Sequence, residues 1–294
     1  MQFMKKVGFI DISIDSYHPN KCIAGLRAGK YKDKIDVGFA YEEKKGGGRD
    51  VAKWCEDNKV KKMASPQEVV DAADAIAVFA PENPERHWEL AEYALKSGKP
   101  TFIDKTFAPD VKTAKKIVEL AEQHKTPIFS ASAFRFADEI WNWNVNYRGT
   151  NRVTFVSTRG AEEWPRYSIH QIEMLIPMIG VGVKRVMQVG KNNVVALALD
   201  YGDDRSGVIN CIKTNSQYGL NQGFEINVVF GTEMALSKQL TSGTVFNRLA
   251  EAQAEFFITG KEPVPHAEII EAIRIIDAGN KAIQQPYTWI QAEQ

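Results

Sequence analysis

The chain has 294 residues, more than a single hydrophobic core usually serves, and 44% are hydrophobic, 25% charged and 10% aromatic. That is the make-up of globular domains, not of a disordered or fibrous chain. Lys+Arg and Asp+Glu both number 37, and this zero balance gives no electrostatic reason to expect nucleic acid or an anionic membrane as partner.

The first apolar run, Val7-Gly8-Phe9-Ile10, is too short for a signal-peptide core or a membrane span and reads as a buried strand over 6–11. A helix is expected over Lys21–Ala28, a strand over Ile35–Tyr41 and a helix over Asp50–Asn58. Ser65-Pro66-Gln67-Glu68 carries an N-cap, a proline at the first helical position and a capping-box acid, so a helix starts there. A strand over Ala75–Ala80, a helix over Pro84–Ser97 and a strand over Thr101–Asp104 follow. A helix over Pro109–His124 and a strand over Pro127–Ala133 complete the alternation. Short apolar strands separated by helices argue for right-handed βαβ units and a parallel sheet.

Beyond this the pattern changes. Arg152–Arg159, Arg185–Gly190, Asn193–Tyr201, Ser206–Thr214, Phe224–Phe230 and Thr232–Lys238 read as strands, with hairpin turns at 202–204 and 231–232. Helices are expected over Ile169–Ile179, Phe246–Thr259 and Ala267–Ile283. The expected fold is therefore α/β, a Rossmann-type parallel-sheet domain over 1–125 followed by an α+β domain over 126–294 with an open, largely antiparallel sheet. Cys22, Cys55 and Cys211 are widely spaced and odd in number, so neither a disulfide framework nor a zinc site is expected, and a reduced cytoplasmic setting fits. The five histidines likewise show no metal-ligand spacing.

Several local features stand in a telling order. Val7-Gly8-Phe9-Ile10 opens the first strand, and a later strand runs from Asp74 to Ala80-Pro81. His87, Ala91 and Ala94-Leu95 precede the turn Ser97-Gly98-Lys99-Pro100. Ile103-Asp104-Lys105-Thr106 and Ser132-Ala133-Phe134-Arg135 end two further strands. Tyr167, His170 and Glu173 lie on one helix before Gly180, and Phe256–Pro263 leads into a long C-terminal helix. Together these resemble the glucose-fructose oxidoreductase/inositol dehydrogenase (Gfo/Idh/MocA) family.

The resemblance implies a Rossmann domain joined to an open-sheet domain, NAD or NADP as cofactor, and a sugar, polyol or related small molecule as substrate. It also implies a homodimer or homotetramer. Asp104-Lys105-Thr106 falls where the family has Glu-Lys-Pro, which makes Lys105 a candidate catalytic group, with His170 and Glu173 beside it in that role. The cofactor is expected against Asp11, Ile12 and Ser13, with Glu42 toward a ribose, and near Ala80, Pro81, His87 and Asp104.

A lysine at a strand's carboxyl end, beside a cationic ring, has its ammonium form disfavoured and can act as a base. It also reads as a solvated loop lysine. His170 sits among Ile169, Ile172 and Leu175, where a core histidine is the plain alternative, and Glu173 shares its helical face.

Two departures stand out. The fingerprint glycines that let a backbone approach a diphosphate are replaced by Asp11, Ser13 and Ser16, with Asp15 adding further negative charge. Arg166 stands four residues before His170, where the family often has Asp. A family member without cofactor, acting as a ligand-binding or regulatory protein or as a non-redox lyase, is thus the alternative expectation.

Overall fold

The computed structural model describes residues 4–147, 153–161, 164–190, 194–212, 223–232, 234–240 and 243–293. The chain separates into two compact units, one of residues 1–131 and 246–266, the other of residues 132–245 and 267–294. The first unit thus takes back a segment from late in the sequence.

In the first unit the elements run β1 (Lys5–Asp11), α1 (Tyr17–Ala28), β2 (Ile35–Glu42), α2 (Val51–Asn58), β3 (Lys61–Lys62) and α3 (Pro66–Ala72). They continue with β4 (Ala75–Val78), α4 (His87–Leu95), β5 (Thr101–Ile103), α5 (Val111–Gln123) and β6 (Ile128–Phe129). All ladders are parallel, in the order β3-β2-β1-β4-β5-β6. This is the doubly wound order, whose switch point falls between β1 and β4. β1 and β4 are buried almost throughout, as strands covered by helices on both faces must be.

The closeness of that cover shows at Gly8, where an added Cβ would lie 2.3 Å from a Val69 methyl of α3. Phe9, Phe79, Phe102, Phe129 and Phe256 form a chain of ring contacts through this core, with successive centroids 4.8–6.4 Å apart. Edge-on geometry of this kind adds to plain area burial.

Helix α3 begins as its sequence requires. Ser65 Oγ accepts the Glu68 N–H at 3.1 Å, while the Glu68 carboxylate accepts the Ala64 N–H at 3.0 Å. Helix α5 is capped by Asp110, whose carboxylate accepts the Thr113 N–H at 2.7 Å. Helix α1 starts at Tyr17 rather than at the expected Lys21. Pro19 falls in its first turn, where no intrahelical N–H is needed, so the proline delays nothing and His18 becomes helical.

The second unit holds α6 (Asp138–Tyr147), β7 (Val153–Ala161), α7 (Ser168–Ile179), β8 (Arg185–Val189), β9 (Val194–Asp200), β10 (Ser206–Ile212), β11 (Glu225–Phe230) and β12 (Met234–Gln239). After these come α8 (Val245–Thr259), which belongs to the first unit from Phe246 on, then α9 (His266–Gln284) and β13 (Ile290–Gln291). The sheet order is β12-β11-β7-β10-β9-β8-β13, antiparallel except between β7 and β10. The expected strand ends at Arg152, Asn193 and 213–214 lie outside the described residues. Helix α6 has no counterpart in the sequence reading, because its run of Asp, Asn and Trp lacks an apolar stripe. Among the described residues no helix is long and apolar enough to cross a membrane, and no group of His, Cys, Asp and Glu is placed to hold a metal ion.

Candidate functional site at the carboxyl edge of the parallel sheet

Ligands of open parallel sheets bind beyond the carboxyl ends of the strands, at the switch point. Five of the expected residues converge there. Asp11 ends β1, Glu42 ends β2, Ala80-Pro81 follows β4, and Asp104 follows β5. Ala80 adopts φ +97°, a conformation costly for a residue with a side chain and characteristic of functional strand ends.

Asp104 is 2% exposed and accepts both the His18 Nδ1 proton at 2.6 Å and the Lys105 N–H at 2.8 Å. Burial works to raise its pKa, but the neighbouring His18 outweighs that and holds the carboxyl below its ordinary value. His18 is a functional-edge residue whose partner no local motif signals, since 86 positions separate it from Asp104. His87 is wholly buried at the start of α4, with Nδ1 on the Phe107 carbonyl at 3.0 Å, and burial lowers its pKa. It supports the Phe107 turn from beneath the edge.

Lys105 is 6% exposed and donates from Nζ to the Pro81 carbonyl at 3.3 Å, with the Glu82 carboxylate at 3.9 Å. This places a buried lysine amino group at the carboxyl edge of the sheet, where ligands of open parallel sheets bind.

The β1–α1 turn has a different character. Asp11 is 2% exposed, and its carboxyl is pushed up to about 7 by burial, with the backbone N–H groups of Ser13 and Ile12 pulling the other way and Asp104 adding to the rise. Ser16 donates to the same carboxyl at 3.4 Å. The Ile14 N–H is taken by the Glu42 carboxylate at 2.9 Å. Burial raises the Glu42 pKa, with the Ile14 bond opposing.

The chain beyond β2 then folds over the turn. Glu43 and Lys44 donate from their backbone to the carbonyls of Asp11 and Ile12, both at 3.0 Å. Arg49 clamps Asp15 with Nε and Nη2, each at 2.9 Å, and with its own N–H at 2.7 Å. An added Cβ at Gly46 would lie 1.8 Å from Ser13 Oγ, so only glycine lets this strap close on the turn.

In the second unit, His170 is half-buried on α7. Its Nδ1 pairs with the Ser132 hydroxyl at 2.6 Å, and its ring meets Phe134, Tyr167 and Phe224 edge-on. Glu173, one turn on, is 3% exposed and bonded at 2.9 Å to Arg135, which also pairs with Glu268. Burial raises the Glu173 pKa against the pull of that guanidinium. His170 and Glu173 thus share a helix but serve different partners. Sequence reasoning noted Ser132 and Arg135 without assigning either to α7, for the same reason of distance along the chain.

The sheet order and the edge residues define a Rossmann-type α/β unit, followed by an α+β unit with an open, largely antiparallel sheet. Residues 24–132 match the model of the oxidoreductase family with an NAD-binding Rossmann fold, Gfo/Idh/MocA. The match begins after the β1–α1 turn.

In structure, the chain is similar to a probable dehydrogenase from Thermotoga maritima, with TM-score 0.78 and 14% identity over 98% of both chains. It is also similar to scyllo-inositol dehydrogenase from Lactobacillus casei with bound NAD(H) and scyllo-inositol, with TM-score 0.80 and 12% identity over 99% of both. A third, myo-inositol 2-dehydrogenase from Lactobacillus plantarum, gives TM-score 0.78 and 13% identity over 99% of this chain and 100% of that one. At such identities the likeness shows the fold. No curated protein matches the chain in sequence.

A dinucleotide's diphosphate rests on glycines and open N–H groups at the first helix. Here the Ile14 N–H is taken by the Glu42 carboxylate, the buried Asp11 carboxyl stands beside Ile12 and Ser13, and Gly46 packs against Ser13 Oγ. The residues of this turn do not fit a diphosphate.

Proposed function

We propose that this chain acts on a hydroxyl or carbonyl group of a small polyhydroxylated molecule, a sugar, polyol or related acid, by proton transfer from Lys105. The observation that carries this reading is the burial of the Lys105 side chain at the strand edge, with its Nζ on the Pro81 carbonyl and near the Glu82 carboxylate. Such a group gives its proton to a developing alkoxide or, once neutral, removes one from a hydroxyl. Within the second unit, Ser132 fixes the orientation of the His170 ring, which makes His170 a separate candidate polar group of that unit. Glu173 would act only through Arg135 and the helix it shares with His170.

The family match supports a redox use of these groups, with NAD or NADP as hydride carrier. The carboxyl-filled turn favours a second reading, in which the same groups serve a non-redox lyase or a binding protein. Incubating the protein with a panel of polyols, sugars and sugar acids, with and without each nicotinamide nucleotide, and following products by NMR separates the two. Lys105→Ala is expected to lower turnover by about 10²–10⁴-fold, the usual worth of a positioned acid or base. Full turnover in that variant would refute the assignment of Lys105.

A further inference from the structure

The structure assigns the β1–α1 turn a closed state: its own carboxyl groups and the Gly46–Arg49 strap occupy the place where a Rossmann domain receives a diphosphate, so this unit takes its ligand without a dinucleotide anchor. The claim stands apart from the role proposed for Lys105, and either can fail alone.

Three observations converge. First, the donors are used. The Glu42 carboxylate accepts from the Ile14 N–H at 2.9 Å, and the buried Asp11 carboxyl, bonded to Ser16 Oγ at 3.4 Å, stands beside the Ile12 and Ser13 backbone. Asp11 thus stands where an anionic ligand would meet the backbone N–H groups of this turn. Second, the space is used. The Glu43 and Lys44 bonds extend the strand pairing past Asp11, Gly46 packs on Ser13, and Arg49 locks Asp15 with a forked pair. Third, the charge is wrong. Asp15, Glu42 and the His18-bound Asp104, with the buried Asp11 carboxyl, lie around a turn that would have to receive two phosphoryl groups, and Arg49 is already committed to Asp15 and Asp57.

Anions bind helix N-termini because unsatisfied N–H groups and the dipole favour them. Helix α1 offers less than most, since Pro19 in its first turn has no N–H to give. The ligand class this edge admits is therefore a small neutral or hydroxyl-rich molecule rather than a nucleotide.

The test is twofold and uses the whole chain. Calorimetric titration with NAD, NADH, NADP and NADPH is expected to show no saturable binding, and a dissociation constant tighter than about 100 µM for any of them, a binding energy of about 5.5 kcal/mol, would overturn the assignment. Amide hydrogen exchange reads the closed turn directly, with no ligand present. The N–H groups of Ile12, Ser13 and Ile14 are expected to be protected, and Glu42→Ala to speed exchange at Ile14 by about tenfold while leaving the sheet strands unchanged, as loss of one hydrogen bond predicts. Free exchange of the three groups in the unaltered protein, or no effect of Glu42→Ala, would overturn it as well. Should the protein refuse nucleotides and also fail to turn over any polyol, the closed turn stands and the proposed Lys105 chemistry falls.

Discussion

Asp11 replaces a residue type that elsewhere has no side chain, and its burial has a measurable consequence. In the unfolded chain this carboxyl titrates near its ordinary 3.8, in the folded one near 7. Between these values the folded state holds a proton that the unfolded state has lost, so stability falls as pH rises through the window and is constant above it. The difference corresponds to at most about 4 kcal/mol. Asp11→Asn removes the titration, and its unfolding midpoint is expected to equal or lie below that of the parent at pH 4.5 and to exceed it at pH 8, by the equivalent of about 1–3 kcal/mol. A difference between the two that does not change with pH would show that Asp11 is not buried as a titrating group. The substitution of the three glycines was legible in the sequence. What it builds was not, because Asp11, Glu42 and the strap meet only once β1 and β2 lie side by side.

At the level of elements, the turn Gly98-Lys99 resembles a family feature, yet its lysine has a structural use that the fold explains. Lys99 Nζ donates to the carbonyls of Val70 at 2.5 Å and Ala73 at 2.7 Å, at the end of α3. It satisfies acceptors that a helix leaves open and meets the negative end of the dipole. Lys99→Met keeps the aliphatic stem and removes the charge, and is expected to cost about 1–2 kcal/mol. Urea unfolding checks this, and an unchanged midpoint would mean that these bonds contribute nothing.

A second link ties α9's start to the first unit's sheet. His266 donates to Glu262 and Glu122 at 3.0 and 3.2 Å, while Glu262 also receives the Ile128 N–H of β6. The Glu262 hydrogen bond raises the His266 pKa. Burial pushes that of Glu262 up, but His266 and the Ile128 N–H bring it below its ordinary value. The histidine's share is full below its unfolded pKa of 6.5 and is lost as pH rises through the folded one. The carboxylate's share is full above 4.5 and is lost as pH falls through the folded value. His266→Ala is therefore expected to destabilise most between about pH 4.5 and 6.5, and a cost that grows toward pH 8 would contradict the pairing. Most strands and helices of the first unit were readable from apolar runs and caps. The two-residue β3, made of two exposed lysines, and the start of α1 were not, nor was α6 of the second unit, whose run lacks an apolar stripe.

For the whole molecule, the open sheet of the second unit poses the remaining question of partners. From Phe155 on, its central strands β7, β10 and β11 alternate, and the inward set, Val156, Thr158, Ile209, Cys211, Ile226 and Val228, is buried. The opposite set includes Phe155 and Ser157 on β7, Val208 and Ile212 on β10 and Val229 on β11, each partly exposed. Val208 lies at the centre of that face, paired with Ser157 on one side and Ala198 on the other. The face mixes apolar residues with Ser157 and Asn227, which bond to each other, and with Arg159 and Glu225, which also pair. We propose that a second copy of the chain covers it. A stable contact needs roughly 1,200 Å² of buried surface or more. Light scattering on the purified protein is expected to give a dimer or tetramer, and Val208→Glu, which places a charge at the centre without touching the buried side, is expected to lower the mass to that of one chain. A parent protein that is already monomeric, or a folded Val208→Glu protein of unchanged mass, would place the interface elsewhere.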